Sequence, residues 1–495
     1  MSNIIQKYSV LILCIIGSFV RLLYGYFFEP WNQAPDHLAW ELIIEQGSFR
    51  YDHLIHYPHE GGTFLISLLC QIIELFTNVS SLTISAFLID FTVRFVQIII
   101  VKRVFDMKIA ILFGLWTILA TPSIIPWGTV NFGLHAIASL FPFLLLLLLS
   151  QKKDSLQHHF YCGIFLGVAI WFSYANMILI PVYFLYRLIN PQAIKKWVFS
   201  IIGLISILIL HLLVRQFLDP GFHLNELGIA SIRGVDFSFG DIDLIGRLWN
   251  IPKVIANAII ALPGSDGLMP KFRLIYYFFF VLASISIIVH LKVNNLRQKI
   301  TPILSIIVFF FLIYIISPFF DTRDQGNYVI FRHLTYIIPM FSLFIIIGLS
   351  SLKYNIIVVA FLAIGMIRSG QLFTAEKLQV SSDITKATGW IIGTKLGHDK
   401  NGIVNILNDN PKKRSLLIQG VGWGISASLL FDNDILDKVK TNSKITRLVK
   451  LISEYPISFQ SDLFNGVKFS FNPELSPKLN PELLLKIEDS VSINE

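Results

Sequence analysis

The segment from residue 29 to residue 60 concentrates side chains that could carry out acid–base chemistry. It begins Glu-Pro-Trp-Asn-Gln-Ala-Pro-Asp-His and carries six carboxylates against one arginine. Proline is favoured at the first position of a helix, so Pro35 predicts a short helix with Asp36 and Glu41 on neighbouring turns. A carboxylate there could act as a general base if a partner keeps it ionised. The alternative is a solvated helix cap.

A histidine-rich stretch follows in the same segment, with His53, His56, His59 and Glu60. Imidazole and carboxylate groups bind divalent metals, but this spacing matches no standard metal motif. We therefore predict structural or substrate contacts for these residues and for Tyr57, and no metal site. A divalent metal stays open as the alternative, and no other cofactor is expected.

A second group of candidate residues lies between 321 and 339, where Arg332 and His333 are predicted to begin a helix at the outer surface. The forked guanidinium of an arginine can hold an anionic phosphate, and a helix N-terminus adds a favourable dipole. The alternative is an interfacial anchor. Weaker candidates of the same kind are Arg233, Arg247, Lys271 and Arg273.

The elements that must position these residues are predicted to be membrane helices. Of the 495 residues, 54% are hydrophobic and 15% charged, with a mean hydropathy of +0.66. Soluble domains usually carry about 25% charged residues, so a soluble enzyme and a disordered chain are excluded. The three cysteines lie in apolar runs, which excludes a disulfide scaffold. The net charge of +8 is typical of basic cytoplasmic loops, and we expect no nucleic-acid partner.

Apolar runs predict about 11–13 transmembrane helices. The predicted spans are 8–28, 61–77, 82–101, 109–121, 132–149, 160–189, 198–218, 271–291, 301–318, 331–350 and 355–368. Basic residues flank 160–189 on both sides, and its middle is polar at 173–176. A pair of short helices that returns to the same side explains both features.

The basic loops predict that the segments 29–60, 219–270 and 319–330 share the outer side with the C-terminal tail. Lys102, Arg103 and Lys108 do not fit this topology, because two full spans between residues 61 and 101 would place them outside. Either one of those segments is re-entrant or the three residues contact outer headgroups.

Charges inside predicted spans are costly and therefore informative. Asp90 and Arg94 are four residues apart, which predicts an ion pair within one helix. Arg21 is predicted to pair with the loop carboxylates or to reach a phosphate.

The composition changes near residue 368. Residues 369–495 carry 15 Lys+Arg and 14 Asp+Glu, which predicts a water-soluble C-terminal domain after a membrane domain of residues 1–368. This tail mixes strand-like runs with helix-like runs, which predicts a small α/β domain; the runs are 403–407 and 415–419, then 425–430 and 444–452. The glycine-rich stretch 420–424 is predicted to be a turn.

These features resemble the GT-C superfamily of integral-membrane glycosyltransferases. The segments that carry the resemblance are Arg21-Leu-Leu-Tyr-Gly-Tyr, Pro35-Asp36-His37-Leu-Ala-Trp, Tyr57-Pro58, the Gly163–Pro181 helix pair and Arg332-His-Leu-Thr-Tyr-Ile-Ile-Pro. The chain looks most similar to the bacterial branch related to protein mannosyltransferases and lipid A aminoarabinose transferases.

The resemblance covers residues 1–368 and implies an all-α polytopic fold in a bacterial inner membrane, with the active site facing the periplasm. It implies that an acidic residue of the first outer loop is catalytic, here Asp36. It also implies a polyprenyl-phosphate or polyprenyl-diphosphate sugar donor, whose phosphate meets Arg332 and, less directly, Arg233. Many members carry paired acidic residues where this chain has Asp36-His37, so a second carboxylate would have to be Glu41 or Glu60.

The expected reaction is transfer of a hexose-like sugar to a hydroxyl of a lipid, glycan or protein acceptor. Direct displacement by that hydroxyl would invert the anomeric configuration. The residues expected to contact substrate are His37, Glu41, His53, His56, Tyr57, His59, Glu60, Arg233, Arg332 and His333. The competing class is a transporter or flippase for a lipid-linked or anionic substrate; the sequence lacks the pair of similar halves that is typical of many transporters.

Overall fold

The computed structural model of the chain is helical in the part that it describes, and it contains no β-strand there. The described residues are 2–28, 38–39, 41–43, 61–77, 80–119, 122, 124–129, 135–151, 155–188, 196–218, 244–249, 251, 270–290, 294–316, 336–352, 355–373, 382–396, 399–430 and 438–471. The chain forms two compact units. We call them the bundle unit (Met1–Pro30, His59–Val214 and Phe237–Lys377) and the tail unit (Trp31–Pro58, Arg215–Asp236 and Leu378–Glu495).

Helices α1 to α12 coincide with the apolar runs of the sequence. They are α1 (Ser2–Phe28), α2 (Gly61–Glu74), α3 (Ser81–Val104), α4 (Met107–Leu119), α5 (Leu140–Ser150), α6 (Leu156–Phe172), α7 (Leu179–Leu188), α8 (Trp197–Leu218), α9 (Pro270–His290), α10 (Asn294–Ile316), α11 (Ile338–Ser350) and α12 (Ile356–Gly370). A single helical turn, His135–Ala138, precedes α5. The predicted runs are therefore confirmed as helices where they are described, except that the helix of the run 331–350 begins at Ile338, after a turn at 336–337.

Two described helical stretches, Tyr8–Tyr26 and Ser81–Val104, are long and apolar enough to cross a membrane by length and composition. Shorter apolar helices of 10–17 residues occur along the rest of the bundle unit. Large apolar side chains on the outside of α1 stay exposed, among them Ile15, Phe19 and Leu22. Helices in a bilayer present such an apolar outer surface, so these helices are consistent with a membrane location.

Contacts of α1 with α4 show that the two helices run parallel. Near the helix starts, Ser9 Oγ lies 3.6 Å from Met107 Sδ. Near the helix ends, Arg21 Nη2 donates to the Thr117 carbonyl at 2.8 Å. The start of α4 therefore lies at the N-terminal end of α1, and the end of α4 lies at its C-terminal end.

Helix α3 runs antiparallel to α1, since Asp90 pairs with Arg21 whereas Arg94 donates to the Cys14 carbonyl at 3.1 Å. The chain leaves α1 and enters α3 at the same end of the bundle unit. Helix α2, between them, has 14 residues and spans only about 21 Å, which is shorter than the predicted span of 61–77. A re-entrant segment and contact of the three basic residues with outer headgroups both stay predictions.

Two further contacts locate the basic residues that did not fit the predicted topology. Lys108 Nζ donates to Asn355 Oδ1 at 2.9 Å, and Lys299 Nζ lies 5.8 Å from the centre of the Phe105 ring. The turn between α3 and α4 therefore lies beside the basic loops before α10 and α12. Lys102 and Arg103, in the last turn of α3, lie at that same end.

Helices α6 and α7 form the hairpin predicted for 160–189. The backbone of Ser173 is extended after α6, and a 3₁₀ turn, Tyr174–Ile178, leads into α7. The start of α6 meets the end of α7, because Arg187 Nη2 donates to His158 Nε2 at 3.1 Å and the Tyr183 hydroxyl lies 3.0 Å from His159 Nδ1. The chain thus reverses inside this pair, and the predicted hairpin is confirmed.

The tail unit contains a helical core, which corrects the prediction of a small α/β domain. Its helices are α13 (Ser382–Leu396), α14 (Lys400–Asp409), α15 (Arg414–Leu430), α16 (Lys438–Ser453) and α17 (Ile457–Ser470). The run 403–407 lies inside α14, and the run 415–419 lies inside α15. Short apolar runs fit a buried strand and a buried helix equally well, which is why the prediction failed.

Glycines allow α15 to approach both of its neighbours closely, and the predicted turn at 420–424 lies inside this helix. A Cβ added to Gly420 would lie 2.8 Å from the Cα of Gly389 in α13. A Cβ added to Gly422 would lie 2.9 Å from the Cα of Leu463 in α17 and would overlap the Leu463 carbonyl oxygen. Small residues at this spacing let helix backbones touch.

We expect Gly422→Ala to destabilise the tail unit by about 1–3 kcal/mol, because the backbone of α17 cannot move aside as a flexible side chain can. The effect is measured by thermal unfolding of the purified chain, with proteolytic cleavage within 382–471 as the readout. Gly370→Ala is the matched control, since a Cβ there meets nothing within 4 Å. Equal unfolding temperatures for the two variants would contradict this packing.

Candidate functional site

The candidate site predicted from the sequence falls mostly outside the described residues. Glu41 is described: it lies in the helical segment 41–43, is half-buried, and stands in the sequence between Ala39 and Ile43 of an apolar core. The other predicted site residues lie outside the described part of the chain: Asp36, His37, His53, His56, Tyr57, His59, Glu60, Arg233, Arg332 and His333. Their roles therefore stay predictions.

A cluster of buried charges lies on α1 and α3, near the C-terminal end of α1, from which the chain continues toward Asp36. Asp90 Oδ2 lies 3.1 Å from Arg21 Nε and 2.8 Å from Arg94 Nε. The side chains of these three residues are at most 3% exposed. The predicted pair of Asp90 with Arg94 is confirmed, and Arg21 joins it from the neighbouring helix.

Backbone oxygens compensate the remaining positive charge of this cluster. Arg21 donates to the carbonyls of Thr117 at 2.8 Å and Ile118 at 3.3 Å, in the last turn of α4. The last carbonyls of a helix lack intrahelical donors and carry partial negative charge, so a guanidinium is stabilised there. Arg94 donates to the Ser18 hydroxyl at 3.0 Å.

This arrangement corrects the prediction for Arg21. Its guanidinium is fully buried and bound to Asp90 and to α4, so the structure pairs it with a carboxylate inside the bundle unit. Gly128 lies against the Arg21 side chain, where a Cβ would overlap Arg21 Cγ. The cluster therefore fixes α1, α3 and α4 against one another near the end of α1.

The end of α1 also meets the chain that leads toward the tail. Tyr24 is fully buried, and its ring lies edge-on to that of Phe373 with centroids 6.5 Å apart. Phe373 belongs to a 3₁₀ turn, Gln371–Phe373, directly after α12. Ile125 and Val20 complete this small apolar cluster. The end of α1 and the turn that follows α12 thus lie at the same end of the bundle unit.

Arg247 and the two cations at the start of α9 were weaker candidates for phosphate binding. Arg247 is 9% exposed, and its Nη1 donates to the Ile315 carbonyl at 3.2 Å, in the last turn of α10. This contact makes Arg247 a helix-end contact of the bundle unit. The side chains of Lys271 and Arg273 lie outside the described part.

Metal binding has no candidate within the described ranges, where no three histidine, cysteine, aspartate or glutamate side chains come together. The histidine-rich stretch 53–60, on which the metal alternative rests, lies outside those ranges. The choice between substrate contact and metal ligation at His53, His56 and His59 therefore stays as the sequence left it.

Sequence reasoning missed the contact of the first outer segment with the tail. Ala39 and Ile43 are fully buried and belong to one hydrophobic core with tail residues such as Ile392 and Leu448. Their spacing of four residues places both on one helix face, which is the signal that could have been noticed. A two-residue apolar pattern is too short to predict which partner covers it.

Comparisons with known proteins add a distant structural neighbour. No protein-family model and no curated protein sequence matches the chain. Among solved structures, the chain is similar to the archaeal oligosaccharyltransferase AglB from Archaeoglobus fulgidus, solved in complex with an inhibitory peptide and a dolichol-phosphate. The TM-score is 0.42 at 11% identity, and the match covers 80% of this chain and 60% of that protein.

Proposed function

We propose that this chain is a membrane glycosyltransferase of the bacterial inner membrane that moves a sugar from a polyprenyl-phosphate or polyprenyl-diphosphate donor to an acceptor hydroxyl at the periplasmic face. The observation that carries the proposal is the arrangement at the end of α1. There the acidic first outer segment departs beside the chain that leads to the tail, since Tyr24 packs against Phe373. In this proposal, the segment that would carry the base and the tail both face the outside of the membrane, where the acceptor lies.

In the proposed reaction, the Asp36 carboxylate takes the proton of the acceptor hydroxyl as that oxygen attacks the anomeric carbon of the sugar. The bond from the anomeric carbon to the lipid phosphate oxygen breaks, and its electron pair leaves with the phosphate. Arg332 neutralises the charge that grows on the departing phosphate, and Arg233 is assigned the same role. His37, His56 and the other loop residues named above would hold the sugar and the acceptor.

The experiment that tests this function is transfer of labelled sugar by the purified full-length protein. Polyprenyl-phosphate and polyprenyl-diphosphate donors are supplied with lipid, glycan and peptide acceptor pools, and label leaving the donor lipid is measured. We expect transfer from one donor class and release of its lipid phosphate. Tight donor binding with no transfer from either class would instead favour the transporter or flippase interpretation.

A further inference from the structure

The segment that follows Asp36 is part of the hydrophobic core of the tail unit. Residues 38–39 and 41–43 are helical, and Ala39 and Ile43 are both 0% exposed. Their core also contains residues from each tail helix, among them Ile392, Ile406, Val421, Leu448 and Leu463. Leu42 packs against the same core from its edge. One face of this short helix is thus covered by the tail.

The helical residues 38–39 and 41–43 cannot owe their conformation to their own sequence. Forming the first turn of a helix is unfavourable, and isolated helices shorter than about 12 residues are marginal in water. Burial of Ala39 and Ile43 in the tail core therefore supplies the stabilisation. Glu41, between these two positions, stays half-buried, so the face of the segment that carries a carboxylate is not sealed into the core.

We propose that the tail unit positions the catalytic loop, with Ala39 and Ile43 as positioning residues for the base at Asp36. This inference rests on the proposed function for the identity of the base. Three peptide bonds join Asp36 to Ala39, so fixing Ala39 restricts the volume within which the carboxylate can lie. A base held within a small volume raises turnover, because misplacement by about 1 Å can cost 10²-fold in rate.

The test uses the full-length protein with Ile43→Ala, which shortens a buried side chain of the loop and leaves the tail helices unaltered. Ile457→Ala is the matched control, since it makes the same chemical change where the side chain is 87% exposed in the same unit. Ile43→Val serves as the conservative variant. Hydrogen exchange of the amides at 38–43 and steady-state sugar transfer are measured for each protein.

We expect Ile43→Ala to accelerate amide exchange at 38–43 at least about tenfold, because the cavity weakens local packing. We expect kcat to fall at least about tenfold and KM for the donor to rise by a smaller factor, since the donor phosphate is assigned to Arg332 whereas only the sugar would meet His37 and Glu41 of this segment. Ile43→Val should recover most of kcat, and Ile457→Ala should match the wild type in both measurements.

Two results would overturn the proposal. Unchanged exchange in Ile43→Ala would show that the tail does not hold the segment, and accelerated exchange with unchanged kcat would show that holding it does not position the base. Failure of the proposed function is recognised separately. If Asp36→Asn keeps its turnover, the base itself is wrong and the positioning role falls with it, whatever the exchange data show.

Discussion

Asp36→Asn is expected to lower kcat for sugar transfer by about 10²–10⁴-fold, the range that one general base contributes. The amide keeps the shape of the side chain but cannot take the proton from the acceptor hydroxyl. KM for the lipid-linked donor should change little, because the donor phosphate is assigned to Arg332 rather than to Asp36. Initial rates of label transfer, measured against donor concentration for purified wild type and variant, give both parameters.

The matched control is Asp52→Asn, which neutralises another carboxylate of the same outer segment. Because the reaction assigns no role to Asp52, this variant should retain wild-type turnover. Similar losses in both variants would indicate that the overall negative charge of the segment matters rather than one base. Near-normal turnover of Asp36→Asn would remove Asp36 from the reaction.

The configuration of the product separates direct displacement from a covalent route. A single base and one displacement give an inverted anomeric centre, whereas retention needs a second carboxylate as nucleophile. Glu41 is the described carboxylate closest in sequence to Asp36, and it is half-buried. We expect an inverted product. A retained product that is lost in Glu41→Gln would identify Glu41 as the nucleophile.

The helices of the bundle unit could be predicted because membrane spans are encoded locally, by long apolar runs and flanking charge. The hairpin of α6 and α7 is the clearest case: the lysines on both sides and the polar break at Ser173 required a reversal, and the contact of Arg187 with His158 shows it. The α/β prediction for the tail failed because runs such as 403–407 carry no period long enough to distinguish a helix from a strand.

Pairings between distant residues could not be read from the sequence. Arg21 and Asp90 are 69 positions apart, and neither periodicity nor composition records that α1 and α3 cross at these two residues. The same holds for Ile43, which is buried by residues of the tail helices α13 to α17. The glycines of α15 did carry a readable signal, since Gly389 and Gly393 repeat the four-residue spacing of Gly420 and Gly424 on the partner helix.

Asp90→Asn is expected to destabilise the bundle unit by about 3–5 kcal/mol, the usual cost of breaking a buried ion pair from one side. The native cluster has two guanidiniums and one carboxylate, so its net charge is +1. Losing the carboxylate raises it to +2 at side chains that are at most 3% exposed to solvent. By the usual relation between stability and unfolding temperature, Tm of the detergent-purified protein should fall by about 10 °C.

The net charge of the cluster also predicts which variant loses more stability, and this order differs from the one that the number of lost contacts would give. Arg94→Met leaves the neutral pair of Arg21 with Asp90, so it should cost less than Asp90→Asn although it also removes the bonds to Cys14 and Ser18. The double variant should be more stable than the sum of the two losses predicts, by about 1 kcal/mol or more.

Asp106→Asn is the matched control for the charge change in these measurements. Asp106 is exposed and caps α4 by accepting from the Ile109 amide at 2.9 Å, a role that asparagine fills equally well, so Tm should not move. If Arg94→Met proved more damaging than Asp90→Asn, the cluster would be held by its hydrogen bonds to α1 rather than by charge balance. The end of α1 would then depend on Ser18 and Cys14 instead of on Asp90.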